Sequence, residues 1–168
     1  MPDLRPIKSA RLTLRQLHLE DASDIARLAG DWEVAKWTAS IPHPYDEGTA
    51  REWITRVNSQ PYDYIYAMDR SGPLVGSIDY NTFTGQIGYW VGRKYWRQGL
   101  ATEAVVSLLG WVASLDPPCG IWTACLPGNR ASIGVLQKTG FNLEGETTVT
   151  ARLRHNGAIL LKFSRRRG

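Results

Sequence analysis

Residues 88–104 read GYWVGRKYWRQGLATEA and form the most informative stretch of the sequence. An apolar run ends at Val91, a basic loop follows, and an apolar helical pattern begins near Gly99. The first amides of a helix have no partner inside the helix and lie at the positive end of its dipole, so this junction suits a phosphate or pyrophosphate. Gly99 lets the backbone approach the anion closely, and Arg97 adds charge. A simple tight turn explains the same residues equally well when they are taken alone.

Downstream of this stretch, helical and strand patterns alternate. Apolar residues at helical spacing predict a long helix that stops before Pro117 and Pro118. Residues 120–126 have the apolar run of a buried strand, and residues 130–139 predict a helix that Gly140 closes. Two further strands are predicted, at 141–150 and 156–163.

Upstream, the sequence predicts strands that pair with their neighbours. Alternating charged and apolar residues predict a first strand at 11–17. Three segments rich in aromatic and β-branched residues predict an antiparallel meander, at 62–68, 74–80 and 86–91. Helices are predicted at 20–29, 33–37 and 49–57. The patterns together predict an α/β or α+β domain with a mixed, mainly antiparallel sheet of about seven strands flanked by helices.

The bulk properties suit one domain in a reducing compartment. The 168 residues are predicted to form a single domain, residues 1–168, with a basic tail at 165–168. The net charge of +4 comes largely from Arg165, Arg166 and Arg167, which indicate a solvated tail and no direct nucleic-acid partner. The N-terminus lacks the apolar run of a signal peptide, and no stretch is long and apolar enough for a membrane span. We therefore expect a cytoplasmic protein with no membrane partner.

The cysteines and histidines argue against a disulfide scaffold and against a metal site. Cys119 and Cys125 lie in one predicted strand, too far apart to bridge. The sequence has no CxxC motif and only 3 histidines, so no zinc-type ligand spacing occurs. We expect both cysteines to be packing residues and no metal to be bound.

Five segments, in their order and spacing, resemble the GNAT acetyltransferase superfamily, and within it the branch of the ribosomal-protein N-terminal alanine acetyltransferases. They are SARLTLRQL from Ser9, IGYWV from Ile87, YWRQGLATEA from Tyr95, NRAS from Asn129 and LQKTGFNLEG from Leu136. The resemblance covers nearly the whole chain. It implies a GNAT-like fold, acetyl-CoA as cosubstrate, and direct transfer of the acetyl group to an amine.

The resemblance also assigns residues to the cofactor. The superfamily's pyrophosphate loop resembles Gln/Arg-x-x-Gly-x-Gly/Ala, which this chain matches at Gly99 and Ala101 but not at Trp96, the first position. By resemblance, the backbone at Trp90 and Val91 pairs with the pantetheine arm and orients the thioester carbonyl. The residues whose amides are implied to hold the CoA pyrophosphate are Arg97, Gln98, Gly99, Leu100, Ala101 and Thr102.

Ser132 is the candidate catalytic residue. Asn129 is a preferred helix N-cap type, so Asn129 and Ser132 could simply begin a helix. In similar proteins, however, the Asn position contacts the pantetheine arm and the Ser position lies near the sulfur. Elsewhere in the superfamily, a tyrosine four residues after that Ser protonates the departing thiolate, but Leu136 stands there in this chain. The Ser132 hydroxyl could instead donate a hydrogen bond to the developing thiolate, and capping alone stays the alternative.

The general base is not evident from the sequence. Gln86 and Ala151 stand where related sequences carry glutamates, which leaves Glu103, Glu144, Asp79 and His155 as candidates. A lysine ε-amine of pKa about 10.4 is only about 0.1% neutral near pH 7.4, whereas an α-amine of pKa about 7.8 is about 30% neutral. A site without a strong base therefore favours α-amines.

Three aromatic residues are candidates for the site of the amine acceptor. Trp32, Trp37 and Tyr45 fall in elements that roof the acceptor side in similar proteins, although packing explains them as well. The favoured acceptor is the α-amine of a protein or peptide. A small-molecule amine or antibiotic acetyltransferase and a non-catalytic acyl-CoA-binding module remain alternatives. Whether the protein forms a homodimer stays open.

Overall fold

A computed structural model describes residues 4–115, 120–149 and 153–165. Within these residues the chain forms eight strands and five helices. The strands are β1 (Ile7–Lys8), β2 (Thr13–Gln16), β3 (Asp63–Asp69), β4 (Leu74–Asn81), β5 (Ile87–Val91), β6 (Ile121–Cys125), β7 (Asn142–Thr148) and β8 (Ile159–Arg165). The helices are α1 (Ala22–Ala29), α2 (Trp32–Ala35), α3 (Glu47–Asn58), α4 (Leu100–Ser114) and α5 (Arg130–Lys138).

The strands form two antiparallel sheets. The first has the order β1-β2-β3-β4-β5, and the second has the order β6-β8-β7. The two sheets meet where Gln86 and Trp122 form an isolated parallel bridge. The Thr123 hydroxyl donates to the Ile87 carbonyl at 2.8 Å and reinforces this junction. The beginnings of β5 and β6 are therefore fixed side by side.

The predicted mixed fold with antiparallel sheets flanked by helices is confirmed, including the meander of β3, β4 and β5. The difference is that the strands divide into two sheets. The sequence did not indicate β1, because a strand of two residues is too short to show an alternating pattern. Arg165, predicted to begin a solvated tail, is instead the last residue of β8 and pairs with Ile121. Its pairing continues the ladder that the apolar residues of β8 begin.

Helices pack on both faces of the first sheet, because alternate residues of its strands point to opposite faces. On one face, α4 buries Leu108 and Val112 in a cluster with Tyr66 and Ile78. On the other face, α1 and α3 bury a second cluster that includes Ile25 and Ile54 as well as Ala67 and Leu74. Each fully buried aliphatic side chain contributes about 1.5–3 kcal/mol to folding. The sheet therefore has a rigid support on both sides.

The predicted end of α5 at Gly140 is confirmed in its backbone detail. Gly140 has φ +81°, a left-handed conformation that glycine adopts without a steric penalty. The Gly140 amide donates to the Gln137 carbonyl at 3.3 Å, and the Phe141 amide donates to the Leu136 carbonyl at 3.0 Å. This pair of bonds is a Schellman motif, and it turns the chain from α5 into β7.

Some predicted features lie outside the described residues. These are the helix stop at Pro117 and Pro118, Cys119, Ala151, and Arg166 and Arg167 of the tail. Cys125 is a free, buried thiol at the end of β6. Over the part of the chain that the structure describes, no helix is long and apolar enough to cross a membrane.

Candidate active site

A cavity of about 860 Å³ opens beyond the junction of β5 and β6. It runs from the first residues of α5 to the loop before α3. Trp90, Asn129 and Ser132, which the sequence assigned to the cofactor, line this cavity, as do Trp37 and Tyr45, which it assigned to the acceptor. The structure thus brings residues from distant parts of the chain to one space.

The loop before α4 has the backbone that a phosphate site requires. Gly99 has φ +75° and directly precedes the first helical residue, Leu100. The Glu103 amide donates to the Gly99 carbonyl at 3.0 Å and makes the first bond of the helix. The amides of Leu100, Ala101 and Thr102 therefore have no acceptor within the helix. Together with the exposed side chain of Arg97, these amides make the N-terminus of α4 electropositive at the surface.

Side chains from elsewhere in the fold hold this loop in place. Arg11 donates from Nη1 to the Gln98 carbonyl at 2.8 Å, and Arg70 donates from Nη1 to Gln98 Oε1 at 2.8 Å. The Trp96 indole donates to the Val91 carbonyl at 2.7 Å and ties the loop to the end of β5. Trp96 departs from the loop pattern of the superfamily, and this bond gives the replacement a structural role.

Glu103 belongs to the same support and is not placed as a base. Its Oε1 accepts from the Ser9 hydroxyl and the Arg11 amide, both at 2.7 Å, and its Oε2 accepts from Arg11 Nε at 2.7 Å. Partial burial raises the pKa of the Glu103 carboxyl, but these hydrogen bonds outweigh it, so the pKa lies below its usual value. Glu103 therefore stays charged and fixes the start of α4.

Ser132 lines the cavity from the first turn of α5. Asn129 Oδ1 accepts from the Ser132 amide at 3.1 Å, which makes Asn129 the N-cap of α5. The Ser132 hydroxyl lies 2.9 Å from the Tyr89 hydroxyl. Leu136, where the superfamily carries a tyrosine, is completely buried and is not among the residues that line the cavity. Its role in this chain is packing.

Tyr89 and Cys125 complete the cluster around Ser132, and both are neutral near pH 7. Burial raises the pKa of Tyr89 to about 12, although the hydrogen bond with Ser132 lowers it in part. Burial also raises the pKa of the Cys125 thiol, and the hydrogen bond with Ser132 again opposes the effect. The cluster therefore holds protons that can be donated and no negative charge.

The sequence missed Tyr89 and Cys125 as members of the site. Tyr89 stood within the IGYWV segment, but its alternation with Gly88 and Trp90 showed only that it faces the other side of the sheet from them. Its contact with Ser132 joins residues 43 positions apart, a tertiary contact that no local pattern reports.

Two of the four candidate bases line the cavity. Asp79 lies opposite Gly88 in the β4–β5 ladder, and a Cβ at Gly88 would stand 2.7 Å from its Oδ1. The absence of a side chain at Gly88 therefore makes room for the Asp79 carboxylate. His155 also lines the cavity, and its Nε2 lies 2.7 Å from the carbonyl oxygen of Lys36. Glu144, in contrast, is exposed on β7, where its carboxylate contacts Ser164 and Lys162 of the neighbouring strand β8.

The predicted acceptor residues divide between the cavity and the surface. Trp37 and Tyr45 line the cavity, whereas Trp32 does not. Trp32 is 48% exposed and lies against His43 and Arg154. Arg154 donates from Nη1 to the carbonyls of Ala35 and Ile41, both at 2.9 Å, and so fastens the loop before α3. Trp32 therefore packs against Arg154, which holds that loop in place, and does not line the cavity.

The charges at the two ends of the site have opposite signs. Around the phosphate-type loop the charged groups are mainly basic: Arg11, Arg70, Arg93, Lys94 and Arg97. In the described lining of the cavity the charged groups are mainly acidic: Glu52, Asp63 and Asp79, against Arg56. This polarity suits an anion at the loop and a cation in the cavity.

Comparison with known proteins agrees with this arrangement. The acetyltransferase (GNAT) domain family matches residues 11–142. An uncharacterized N-acetyltransferase, p20, of Bacillus licheniformis is 28% identical over 152 residues, which are 84% of this chain and 85% of that protein. RimL, a ribosomal L7/L12 alpha-N-protein acetyltransferase solved with coenzyme A, has a TM-score of 0.82 at 17% identity, over 96% of this chain and 97% of that chain. MccE, the microcin C7 self-immunity acetyltransferase solved with acetyl-CoA and AMP, has a TM-score of 0.80 at 18% identity, over 94% and 93%.

The solved structures are similar to this chain in fold, and the resemblance seen in the sequence is confirmed at the level of the family. The matched region includes the loop before α4, the cavity strands β4 to β6, and Ser132 on α5. Because the match spans residues 11–142 of 168, this chain belongs to the GNAT acetyltransferase family and is an acyltransferase.

Proposed function

We propose that this protein transfers the acetyl group of acetyl-CoA directly to a primary amine, and that the α-amine of a protein or peptide is its favoured acceptor. The observation that carries the proposal is a cavity that Ser132 lines together with the acidic side chains of Glu52, Asp63 and Asp79. We further propose that residues 1–168 act as one domain.

The chain offers candidate binding groups for both the pyrophosphate and the pantetheine arm of acetyl-CoA. The pyrophosphate would lie on the amides of residues 97–102, where the first turn of α4 has amides without acceptors inside the helix. The pantetheine arm would pass along Trp90 and Val91 toward Asn129 and Ser132. RimL and MccE, which share the fold, were solved with coenzyme A and acetyl-CoA respectively, and this supports the placement.

In the proposed reaction, the neutral amine nitrogen attacks the thioester carbonyl carbon. The C–N bond forms, the C–S bond breaks, and the electron pair of that bond stays on the sulfur. The nitrogen loses one proton to solvent and the thiolate takes up one, so no net proton is consumed. The Ser132 hydroxyl donates a hydrogen bond to the sulfur, which stabilises charge that is largest in the transition state.

The preference for α-amines follows from the proton that the acceptor must lose before it attacks. An α-amine is about 30% neutral near pH 7.4, so it needs little help from a base, whereas a lysine ε-amine is only about 0.1% neutral. The acidic lining of the cavity would attract the protonated form of either amine. RimL, named as an alpha-N-protein acetyltransferase, is consistent with an α-amine acceptor.

A small-molecule amine is the second candidate acceptor. MccE, a self-immunity acetyltransferase with the same fold, was solved with AMP as well as acetyl-CoA. The aromatic rings of Trp37 and Tyr45 in the cavity would suit an apolar or aromatic part of such a molecule.

Release of free thiol from acetyl-CoA tests the proposal across a panel of acceptors. The panel contains peptides with free α-amines, lysine peptides with blocked α-amines, polyamines and aminoglycosides. We expect the α-amine peptides to give the highest kcat/KM. A higher kcat/KM for a polyamine or aminoglycoside would assign the small-molecule function. Tight acetyl-CoA binding without thiol release on any acceptor would contradict the proposed transfer to these amines.

A further inference from the structure

We propose that Tyr89 orients the Ser132 hydroxyl so that its hydrogen bond points at the departing CoA sulfur. This tyrosine from β5 would support the leaving group in a chain where Leu136 replaces the proton-donating tyrosine of the superfamily. The proposal rests on the proposed function. It makes Tyr89 a positioning residue, since its hydroxyl acts through Ser132.

The contact comes from two fixed elements. Tyr89 lies in β5, which pairs with β4 along its length and is fixed to β6 at Gln86. Its ring is partly buried and packs against the hydrophobic cluster beneath α4, which restricts the movement of the hydroxyl. Ser132 is held from the other side, because Asn129 Oδ1 accepts from its amide at 3.1 Å. The two hydroxyl oxygens lie 2.9 Å apart between these supports.

A count of protons explains what the pair does. Two hydroxyls carry two protons, and the hydrogen bond between them uses one. Either hydroxyl can donate across the 2.9 Å contact, and the Tyr89 hydroxyl also lies 3.4 Å from the Ser132 carbonyl oxygen. In the arrangement that we propose, Tyr89 donates to Ser132 Oγ at the shorter distance, and the proton of Ser132 is left to point at a third atom. Cys125 lines the same cavity as Ser132, and the neighbouring Ser132 hydroxyl acts to lower the pKa of its thiol, so a sulfur can be accommodated near this hydroxyl. The sulfur of CoA would take the same kind of bond when it becomes a thiolate, since a charged acceptor binds more strongly than a neutral thiol.

The acidity of the phenol shows that it supplies a hydrogen bond and not a transferred proton. The pKa of Tyr89 is raised to about 12 by burial. An ordinary thiol has a pKa of about 8.5, so a departing thiolate is too weak a base to remove the proton of Tyr89. Tyr89 therefore remains protonated throughout the reaction, and the thiolate takes its proton from solvent.

The test is a double-mutant cycle between Tyr89→Phe and Ser132→Ala. Tyr89→Phe removes the hydroxyl and keeps the ring in the core. We expect it to lower kcat about tenfold while the Kd of acetyl-CoA changes less than about twofold. In the Ser132→Ala background, Tyr89→Phe should lower kcat no further, because the proton that Tyr89 directs is already absent. Tyr62→Phe, which removes a hydroxyl from a 57% exposed ring outside the cavity, is the matched control and should keep the activity of the wild type.

A kcat for Tyr89→Phe within twofold of wild type would overturn the proposal. A double variant whose loss in kcat equals the product of the two single losses would also overturn it, because the two residues would then act independently. A purely structural role predicts that kcat falls only in proportion to folded protein, which a thermal melt of each variant measures. If Tyr89→Phe does not fold, 3-fluorotyrosine at position 89 provides the second variant. This lower-pKa phenol should keep or raise kcat, and a tenfold fall would contradict the proposal. A wild-type protein without thiol release on any acceptor would instead refute the proposed function itself.

Discussion

At the level of single residues, the structure separates the two roles considered for Ser132, helix capping and catalysis. Asn129 is the N-cap of α5, and Ser132 uses only its amide in that cap. The Ser132 hydroxyl is therefore available to the Tyr89–Cys125 cluster and is not needed for the helix start. Capping and chemistry can be tested by different substitutions.

Ser132→Ala should affect catalysis more than stability. The lost hydrogen bond to Tyr89 is worth about 0.5–1.5 kcal/mol of stability. The kcat on the best acceptor should fall about ten- to a thousandfold, with little change in acetyl-CoA affinity. Thiol-release assays well below the melting temperature measure kcat, and calorimetry measures the affinity for acetyl-CoA. A kcat within twofold of wild type would remove Ser132 from the mechanism.

The pair of Arg15 and Asp21 offers a test of stability that does not involve the site. Arg15 donates from Nη1 and Nη2 to the Asp21 carboxylate, both at 2.8 Å. Burial raises the pKa of Asp21, but the hydrogen bonds from Arg15 and from the His18 amide prevail, so its pKa is lowered. A lowered carboxyl pKa gives stability that is present above the unfolded pKa of about 3.9 and is lost as the pH falls through the folded pKa.

Asp21→Asn should therefore cost about 2 kcal/mol of unfolding free energy at pH 7, and less near pH 3. Asp24→Asn is the matched control, because the Asp24 pair with Arg27 is exposed and should contribute about 0–0.5 kcal/mol. Urea unfolding at the two pH values measures the difference. Equal destabilisation by Asp21→Asn at both would show that the carboxylate charge does not matter.

At the scale of elements, the local features could be predicted and the long-range ones could not. The glycine loop, α4 and the Gly140 turn are each encoded by consecutive residues, so the sequence indicated them. The bond from Arg11 to Glu103 joins residues 92 positions apart, and the Tyr89–Ser132 contact joins residues 43 apart. Such contacts depend on how the sheets pack. For the same reason, the sequence could not show that Asp79 faces the cavity and Glu103 does not.

Gly99→Val tests whether the start of α4 holds CoA. A β-branched residue is strained at φ +75°, so the substitution will also lower stability. Gly157→Val is the matched control, since Gly157 has φ +76° and open space around its Cβ position. Both variants should lose similar stability, but only Gly99→Val should lose CoA binding in calorimetry. Unchanged CoA affinity in folded Gly99→Val would place the cofactor elsewhere.

Across the whole molecule, the two parts of the candidate site carry opposite charges, basic around the loop before α4 and acidic in the cavity lining. The basic loop and the acidic cavity are built by different elements, yet the chain has a net charge of only +4. The overall charge therefore does not reveal the polarity of the site, which only the fold creates. This polarity suits an anionic cosubstrate and a cationic acceptor that meet near Ser132.

The pH dependence of acceptor use belongs to this scale. With an α-amine acceptor, kcat/KM should rise with pH and level off above the amine pKa of about 7.8, because the neutral amine is the reacting form. With a lysine ε-amine, kcat/KM should be lower at pH 7 and should still be rising near pH 9. Initial rates from pH 6 to pH 9 measure both profiles. Efficient lysine acetylation at pH 7, with little dependence on pH, would require a strong base and would contradict the α-amine preference.

A crystal structure with bound CoA tests whether the cofactor lies between the loop before α4 and Ser132, as we propose. We expect the pyrophosphate on the amides of residues 97–102, at hydrogen-bond distances of about 2.7–3.2 Å. We expect the CoA sulfur within about 4 Å of the Ser132 hydroxyl oxygen, a distance that suits a bond to sulfur. A pyrophosphate bound away from Gly99, or a sulfur on the far side of β5 from Ser132, would contradict the account.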